Sequence, residues 1–391
     1  MRPRARHRSR NVNKETMTYR SLRSTFFLLL IALLVAPAWA QLNNRALISG
    51  RVTDAETGQS LPGAHVFIAS SMIGTVTDEN GNYDLLDVPI GAHRLYVSML
   101  GFEPDFRDVM LRTGKDYQFE FQLKESILEV GEVIVEAKRD KNWKKRLEKF
   151  TRMFIGETPN SLETTITNPE VLDFEDKRGS FTATASAPLI IENRALGYRI
   201  QYFLKDFEST PNRVKYDGEG LYEEMDATSA EEAEGWDDKR RAAFMGSFRH
   251  FMLAVIAGRS EAQGFKTYTR PSAGGGVGDT FNRGAMTDQR FPLDPTSILK
   301  PGEAENEYFL EFEGHMEIVF MGEKEDESYL DWSMRPERSN PRFQTSWTLL
   351  EHGPALVDYK GDTLDPYGVV FMGYWAFERV ADEPPKEYRP R

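Results

Sequence analysis

Apolar and polar residues alternate in short runs along much of this chain. Tyr117, Phe119, Phe121 and Leu123 alternate with Gln118, Glu120, Gln122 and Lys124. Ile48, Gly50 and Val52 alternate with Ser49 and Arg51, and Leu95 and Val97 with Arg94 and Ser98. A period of two marks a strand with one buried face. Glu56-Thr57-Gly58, Asp78 to Asn82 and Pro89-Ile90-Gly91 separate the runs, and Gly, Asn and Asp meet the backbone demands of tight turns. Short strands at this spacing predict an all-β sandwich.

The period changes after Asp140. Trp143, Leu147, Phe150 and Phe154 recur at steps of four, three and four, predicting a helix with Asp140 as N-cap and Gly156 as stop. Alternation returns at Tyr198, Ile200, Tyr202 and Leu204, and Phe181–Ala187 and Arg213–Glu223 read as strands of the same sheet. Ser229-Ala230-Glu231-Glu232 is a capping box. It opens a helix or helix pair ending at Ala257 and broken at Gly235, with Phe244, Phe248, Phe251 and Val255 as its core stripe. After Pro301, Tyr308–Phe312 and Met316–Met321 read as a hairpin closed by Glu313-Gly314-His315. Phe343–Glu351, Ala355–Lys360 and Gly368–Phe377 add strands, and the polar, Pro-containing tail Pro384–Arg391 reads as frayed.

The first sandwich carries several turn signatures in order: Ile48-Ser49-Gly50-Arg51-Val52-Thr53-Asp54, Leu61-Pro62-Gly63-Ala64-His65-Val66, Gly74 to Tyr83, and Val97 to Phe102. That series resembles the carboxypeptidase regulatory-like domain, a transthyretin-like β-sandwich common as an accessory module on Gram-negative envelope proteins. The resemblance implies a fold and a compartment but no chemistry. Ile127–Ala137 is similar to the Glu-Val-Val-Val segment that follows this module in TonB-dependent outer-membrane receptors, yet the remaining length cannot build a plug and a large barrel. Asn168–Leu172 and Pro188–Tyr198 resemble the uncharacterised region trailing the module in related envelope proteins, which implies a shared second domain and no reaction.

Composition adds the compartment. Eight basic residues up to Arg23, the apolar run Phe26–Ala36 and Ala38-Trp39-Ala40 predict an export signal cleaved after Ala40, with Met17 an alternative start. Cleavage would leave 41 basic against 60 acidic residues, moving the formal charge from −12 to −19. Such a surface disfavours nucleic acid as a partner. With no cysteine the chain has neither disulfides nor a lipid-modified cysteine. The expected organisation is mainly β with α: signal 1–40, sandwich 41–124, connecting strand and basic helix 125–160, and an α+β domain 161–391.

The chemistry is sparse. None of the six histidines has Glu three residues later, so the zinc pattern of the carboxypeptidases that carry the module is missing. There is no Gly-x-Ser-x-Gly elbow. Ser297-x-x-Lys300 lacks its companion motifs, and Gly274–Gly278 lacks the Gly-Lys-Ser/Thr ending of a phosphate loop. Asp78–Asp84 has Gly81 fourth, where a calcium loop needs it sixth. No catalytic residue, metal or cofactor is therefore expected. Two binding features remain. Lys141, Lys144, Lys145 and Lys149 make one helix basic, able to grip an anionic partner or to complement acidic surface in the same chain. Trp332 is the best exposed aromatic for stacking on a sugar. The expected function is a non-enzymatic, exported envelope accessory protein that binds a protein or glycan, with the sandwich as adaptor and the second domain as contact module. The alternatives are a carboxylate-dependent glycan hydrolase and a structural spacer.

Overall fold

In the computed structural model the described residues are 45–126, 142–177, 179–211, 213–271, 289–302, 307–333 and 342–390. The export signal, the Ile127–Ala137 strand, Asp140, Lys141 and the Gly274–Gly278 loop lie outside them.

Eight strands form the sandwich: β1 (Arg45–Asp54), β2 (His65–Ile68), β3 (Gly74–Val76), β4 (Asn82–Pro89), β5 (Gly91–Ser98), β6 (Asp105–Leu111), β7 (Asp116–Gln118) and β8 (Phe121–Leu123). One sheet has the order β4-β1-β7, with β8 also on β1, and the other β3-β2-β5-β6. Alternation along the strands buries Ile48, Val52, Leu85, Val97 and Phe121 between the sheets. The turn before β4 is an Asx turn, in which Asp78 Oδ1 accepts from the N–H groups of Asn80 (2.9 Å) and Asn82 (2.8 Å). The domain is a two-sheet β-sandwich, and the fold as a whole is mainly β.

Helix α1 (Trp143–Phe154) follows, stopped at Gly156, whose φ is 114°. Its buried Phe150 and Phe154 cover a six-stranded sheet of β9 (Thr164–Ile166), β10 (Leu172–Lys177), β11 (Ser180–Ala185), β12 (Leu189–Asn193), β13 (Tyr198–Thr210) and β14 (Arg213–Glu224). Long β13 is the spine: β11 and β12 share one of its edges and β14 takes the other.

Two helices come next, α2 (Ala230–Phe244) and α3 (Phe248–Ile256). Half of the capping box forms: Ser229 Oγ accepts from Glu232 N–H at 3.1 Å, while the Glu232 carboxylate reaches one residue farther back and accepts from Thr228 N–H at 2.6 Å. The break falls at Gly246 instead of Gly235. Gly246 takes φ 80°, donates its N–H to His250 Nδ1 (3.0 Å) and accepts from Trp375 Nε1 (2.7 Å), and Gly235 stays inside α2. A side chain at Gly246 would meet the Gln344 amide at 2.5 Å, so the turn is fixed by packing as well as by φ.

The rest builds two sheets from β15 (Phe265–Arg270), β16 (Phe291–Pro292), β17 (Leu299–Pro301), β18 (Glu307–Leu310), β19 (His315–Lys324), helix α4 (Glu327–Trp332), β20 (Phe343–Leu350), β21 (Ala355–Asp358) and β22 (Val369–Gly373). Their orders are β16-β15-β19-β20-β22 and β17-β18-β21. The expected 308–321 hairpin does not form. Gly314 turns the chain, but β18 pairs with β17 and β21 while β19 pairs with β15 and β20. The last expected strand also stops early. Gly373, at φ 71°, ends β22, and α5 (Tyr374–Phe377) buries Trp375 from one helical turn.

The tail is packed. Pro384 and Pro385 are buried, Lys386 N–H donates to Ser70 O (2.9 Å), and Arg249 Nη1 donates to Pro385 O (3.1 Å). Polar composition suggested fraying, yet this segment's backbone finds partners on both flanking domains.

Candidate functional site

The sandwich is joined to the six-stranded sheet through side chains that neither half buries alone. Phe67 and Tyr96 of the sandwich meet Phe203 of β13, the two Phe rings stacked with centroids 4.8 Å apart. Main-chain pairing continues the seam, with Tyr222 N–H donating to Ser71 O at 2.8 Å. Arg94 of β5 forks onto Asp108 (2.9 and 3.2 Å) and also reaches Glu219 of β14 (3.5 Å). Ser70 Oγ donates to the other Glu219 oxygen at 3.2 Å.

Beside this seam lies a cavity of about 350 Å³. Its walls come from the sandwich (Ser70, Arg94), β14, the start of α3 (Phe248, Arg249), the turn Asp362–Tyr367, β22 and the segment Glu378–Lys386. Tyr202, Tyr216, Phe371 and Trp375 give it aromatic surface. The volume falls within the range of small-molecule sites, roughly 300–1,000 Å³.

The charges around it are unusual for their confinement. Burial raises the Glu219 carboxyl, against the opposing pull of Lys386 and Arg94. Burial likewise pushes Asp382 up to about 6, although Thr158 Oγ1 and Asn160 Nδ2 both donate to it at 2.8 Å. Glu378 is held well above the usual carboxylate range by burial first and by its acidic neighbours second. Glu383 lines the cavity and is exposed to solvent. Desolvation and Asp362 push it up to about 7, and Tyr216 OH donates to it at 3.4 Å. Lys386 faces Asp362 at 3.7 Å.

The residues singled out from sequence lie elsewhere. Lys144 and Lys145 are exposed on α1. Lys149 sits 4.0 Å over the Phe181 ring and 3.7 Å from Asp176, which Arg146 also meets at 3.1 Å, so this face complements acidic surface of its own chain. Trp332 is not an exposed platform. It is half-buried and packs on Tyr329 (5.8 Å) and Phe377 (5.6 Å), because positions 329 and 332 share the apolar side of α4. Two histidines of the sandwich make packing contacts: His65 edges onto Phe203, and His93 contacts Pro89 O (2.6 Å) and Lys360 Nζ (3.5 Å). Burial and then Lys360 push His93 down to about 3, so it stays neutral. Among the described residues no group of three His, Asp or Glu is placed to hold a metal ion.

Sequence reading missed Arg249, Arg379, Glu378 and Glu383. The one available signal was Glu378, Asp382 and Glu383 bracketing the apolar step Val380-Ala381, an odd density of carboxyls beside buried positions.

Residues 48–135 match the CarboxypepD_reg-like domain family. No curated protein matches the chain. Among solved structures, a type II cohesin–X-dockerin complex from Acetivibrio cellulolyticus is 20% identical over 19% of this chain and 52% of that one, with a TM-score of 0.17. Catechol 1,2-dioxygenase from Acinetobacter sp. ADP1 is 14% identical over 22% and 54%, at 0.19. Klebsiella pneumoniae 5-hydroxyisourate hydrolase is 16% identical over 21% and 91%, at 0.17. The chain thus spans about half the length of the first two, and likenesses at these scores say nothing of function.

Proposed function

We propose that this is an exported, non-enzymatic binding protein whose sandwich braces the α+β region and whose ligand enters the cavity between them. The supporting observation is the shared wall. Ser70 and Arg94 of the sandwich face the same space as Glu219, Arg249 and Glu383, so the accessory module forms part of the site. Among the described residues no helix is long and apolar enough to cross a membrane. Export rests on the basic leader and Ala38-Trp39-Ala40. The partner is an envelope glycan or protein presenting a group small enough for the cavity. A glycan array probed with the exported chain and with Leu364→Trp, which fills the cavity, tests this. Binding by the parent and loss in the filled variant support it; equal binding by both overturns it.

One observation favours a hydrolase instead. Glu378 and Glu383 line an aromatic cavity and are held toward the protonated state that a general acid needs. Release of reducing sugar from a bound glycan, abolished in Glu383→Gln, is the outcome that would select this reading. Binding without release retains the first.

A further inference from the structure

The cations of the cavity fall into two groups. Arg94 is held by Asp108 and Glu219, and Arg213 by Glu351. Arg249 and Arg379 differ: among the described residues neither has a carboxylate at ion-pair distance. Arg249 spends one N–H on Pro385 O and lies 5.5 Å over the Phe244 ring, which leaves most of its fork free. Arg379 lies 5.9 Å over Tyr216, whose hydroxyl meets Glu383. Both stems lie against glycines: a Cβ at Gly361 would come within 3.3 Å of Arg249 Cγ, and one at Gly156 within 3.2 Å of Arg379 Cβ.

Two guanidinium groups stand at the wall of one cavity with no carboxylate at ion-pair distance among the described residues; they act on Glu383 only from farther off, so their planar forks remain able to receive a carboxylate. The anion cannot be highly charged, because Glu219, Glu378, Asp382 and Glu383 share the lining. Those same carboxyls are hydrogen-bonding groups for hydroxyls, and Phe371 and Trp375 supply ring faces. We infer that the cavity takes a sugar acid of about one ring, its carboxylate between Arg249 and Arg379 and its hydroxyls on Glu219 and Glu383. Because desolvation keeps Glu378 and Glu383 toward their neutral forms, they donate to the bound anion rather than repel it. This inference rests on the binding reading above and narrows its ligand.

Calorimetry on the full exported chain tests it with glucuronate, galacturonate, glucose and inorganic phosphate as separate probes. The expected result is binding of a uronate but not of glucose, weakened about tenfold or more in Arg249→Gln and in Arg379→Gln. Should Arg249→Gln fail to fold, Arg249→Lys keeps the charge, loses the fork and is expected to weaken uronate binding as well. Glucose binding as tightly as the uronates, unaffected by the arginine variants, overturns the anion assignment and leaves the cavity as a binding site. Phosphate binding without uronate binding overturns the sugar body. If no probe binds and Leu364→Trp also leaves glycan-array binding intact, the cavity reading itself falls.

Discussion

Ser70 accepts at its carbonyl oxygen from the main-chain N–H of Lys386, at 2.9 Å, although 316 positions separate the two residues. The contact ties the tail to the sandwich across the seam that carries the cavity. Removing residues 384–391 also deletes the Pro385 acceptor of Arg249. The truncated chain is expected to melt at lower temperature, with faster amide exchange at Ser70–Ile73 than at the centre of β1. Unchanged exchange there would show that the tail is dispensable to the seam.

The Phe67–Phe203 stack predicts a mechanical coupling of the two halves. Phe203 is buried, and Phe203→Ala leaves a cavity among Phe67, Tyr96 and Leu221. The expected loss is about 3 kcal/mol. In urea the sandwich and the remainder should then unfold in separate steps, read by probes in each half. A single transition with an unshifted midpoint would contradict the joint.

The cavity carboxyls set a pH dependence. Asp382 rises to about 6 and Glu383 to about 7, from ordinary values of 3.8 and 4.5. The folded state holds these protons more tightly than the unfolded one, so their contribution to stability is complete below the ordinary values. It is lost as pH climbs through 6 to 7. Thermal melts are expected to be lower at pH 8 than at pH 5, and Glu383→Gln should reduce that difference. Equal melts for the parent at both values would refute the assignment.

Glu317 gives the opposite case. Burial pushes its carboxyl up, but hydrogen bonds from Arg270, Trp347 and Arg290 outweigh it and hold the group below the usual range. Glu317→Ala removes the carboxylate that accepts from Arg270, Arg290 and the Trp347 indole N–H, with an expected cost of about 3 kcal/mol by denaturant titration. Arg290→Ala should cost much less, because that side chain is half exposed and Arg270 remains.

How far sequence sufficed depends on the distance over which each feature is assembled. The sandwich was legible because alternation within β1 and β5, and turns such as Asp78–Asn82, are local. The 308–321 hairpin was misread for the same reason. Gly314 makes the local turn, but nothing near it says that β18 will pair with β21 and β19 with β20. Gly235 and Gly246 are equivalent as letters; only Gly246 has Trp375 and His250 waiting on it. The cavity was invisible because Arg94, Glu219, Arg249 and Arg379 come from four distant segments. Trp332 misled because polar neighbours in sequence hid Tyr329 and Phe377, its neighbours in space.

The Ser71–Tyr222 hydrogen bond also bears on the order of assembly. Every pairing inside the sandwich closes within residues 45–126, whereas β14 reaches Ser71 only across a loop of some 150 residues. Loop-closure entropy favours the short-range half, so the sandwich is the fast-folding unit and its Ser70–Ser71 edge stands ready as a template when β14 is formed. Slow phases in refolding should therefore report on the seam and on the aromatic stack at Phe203, while the sandwich core is already protected. The sandwich would then act as the nucleus on which the rest of the chain condenses.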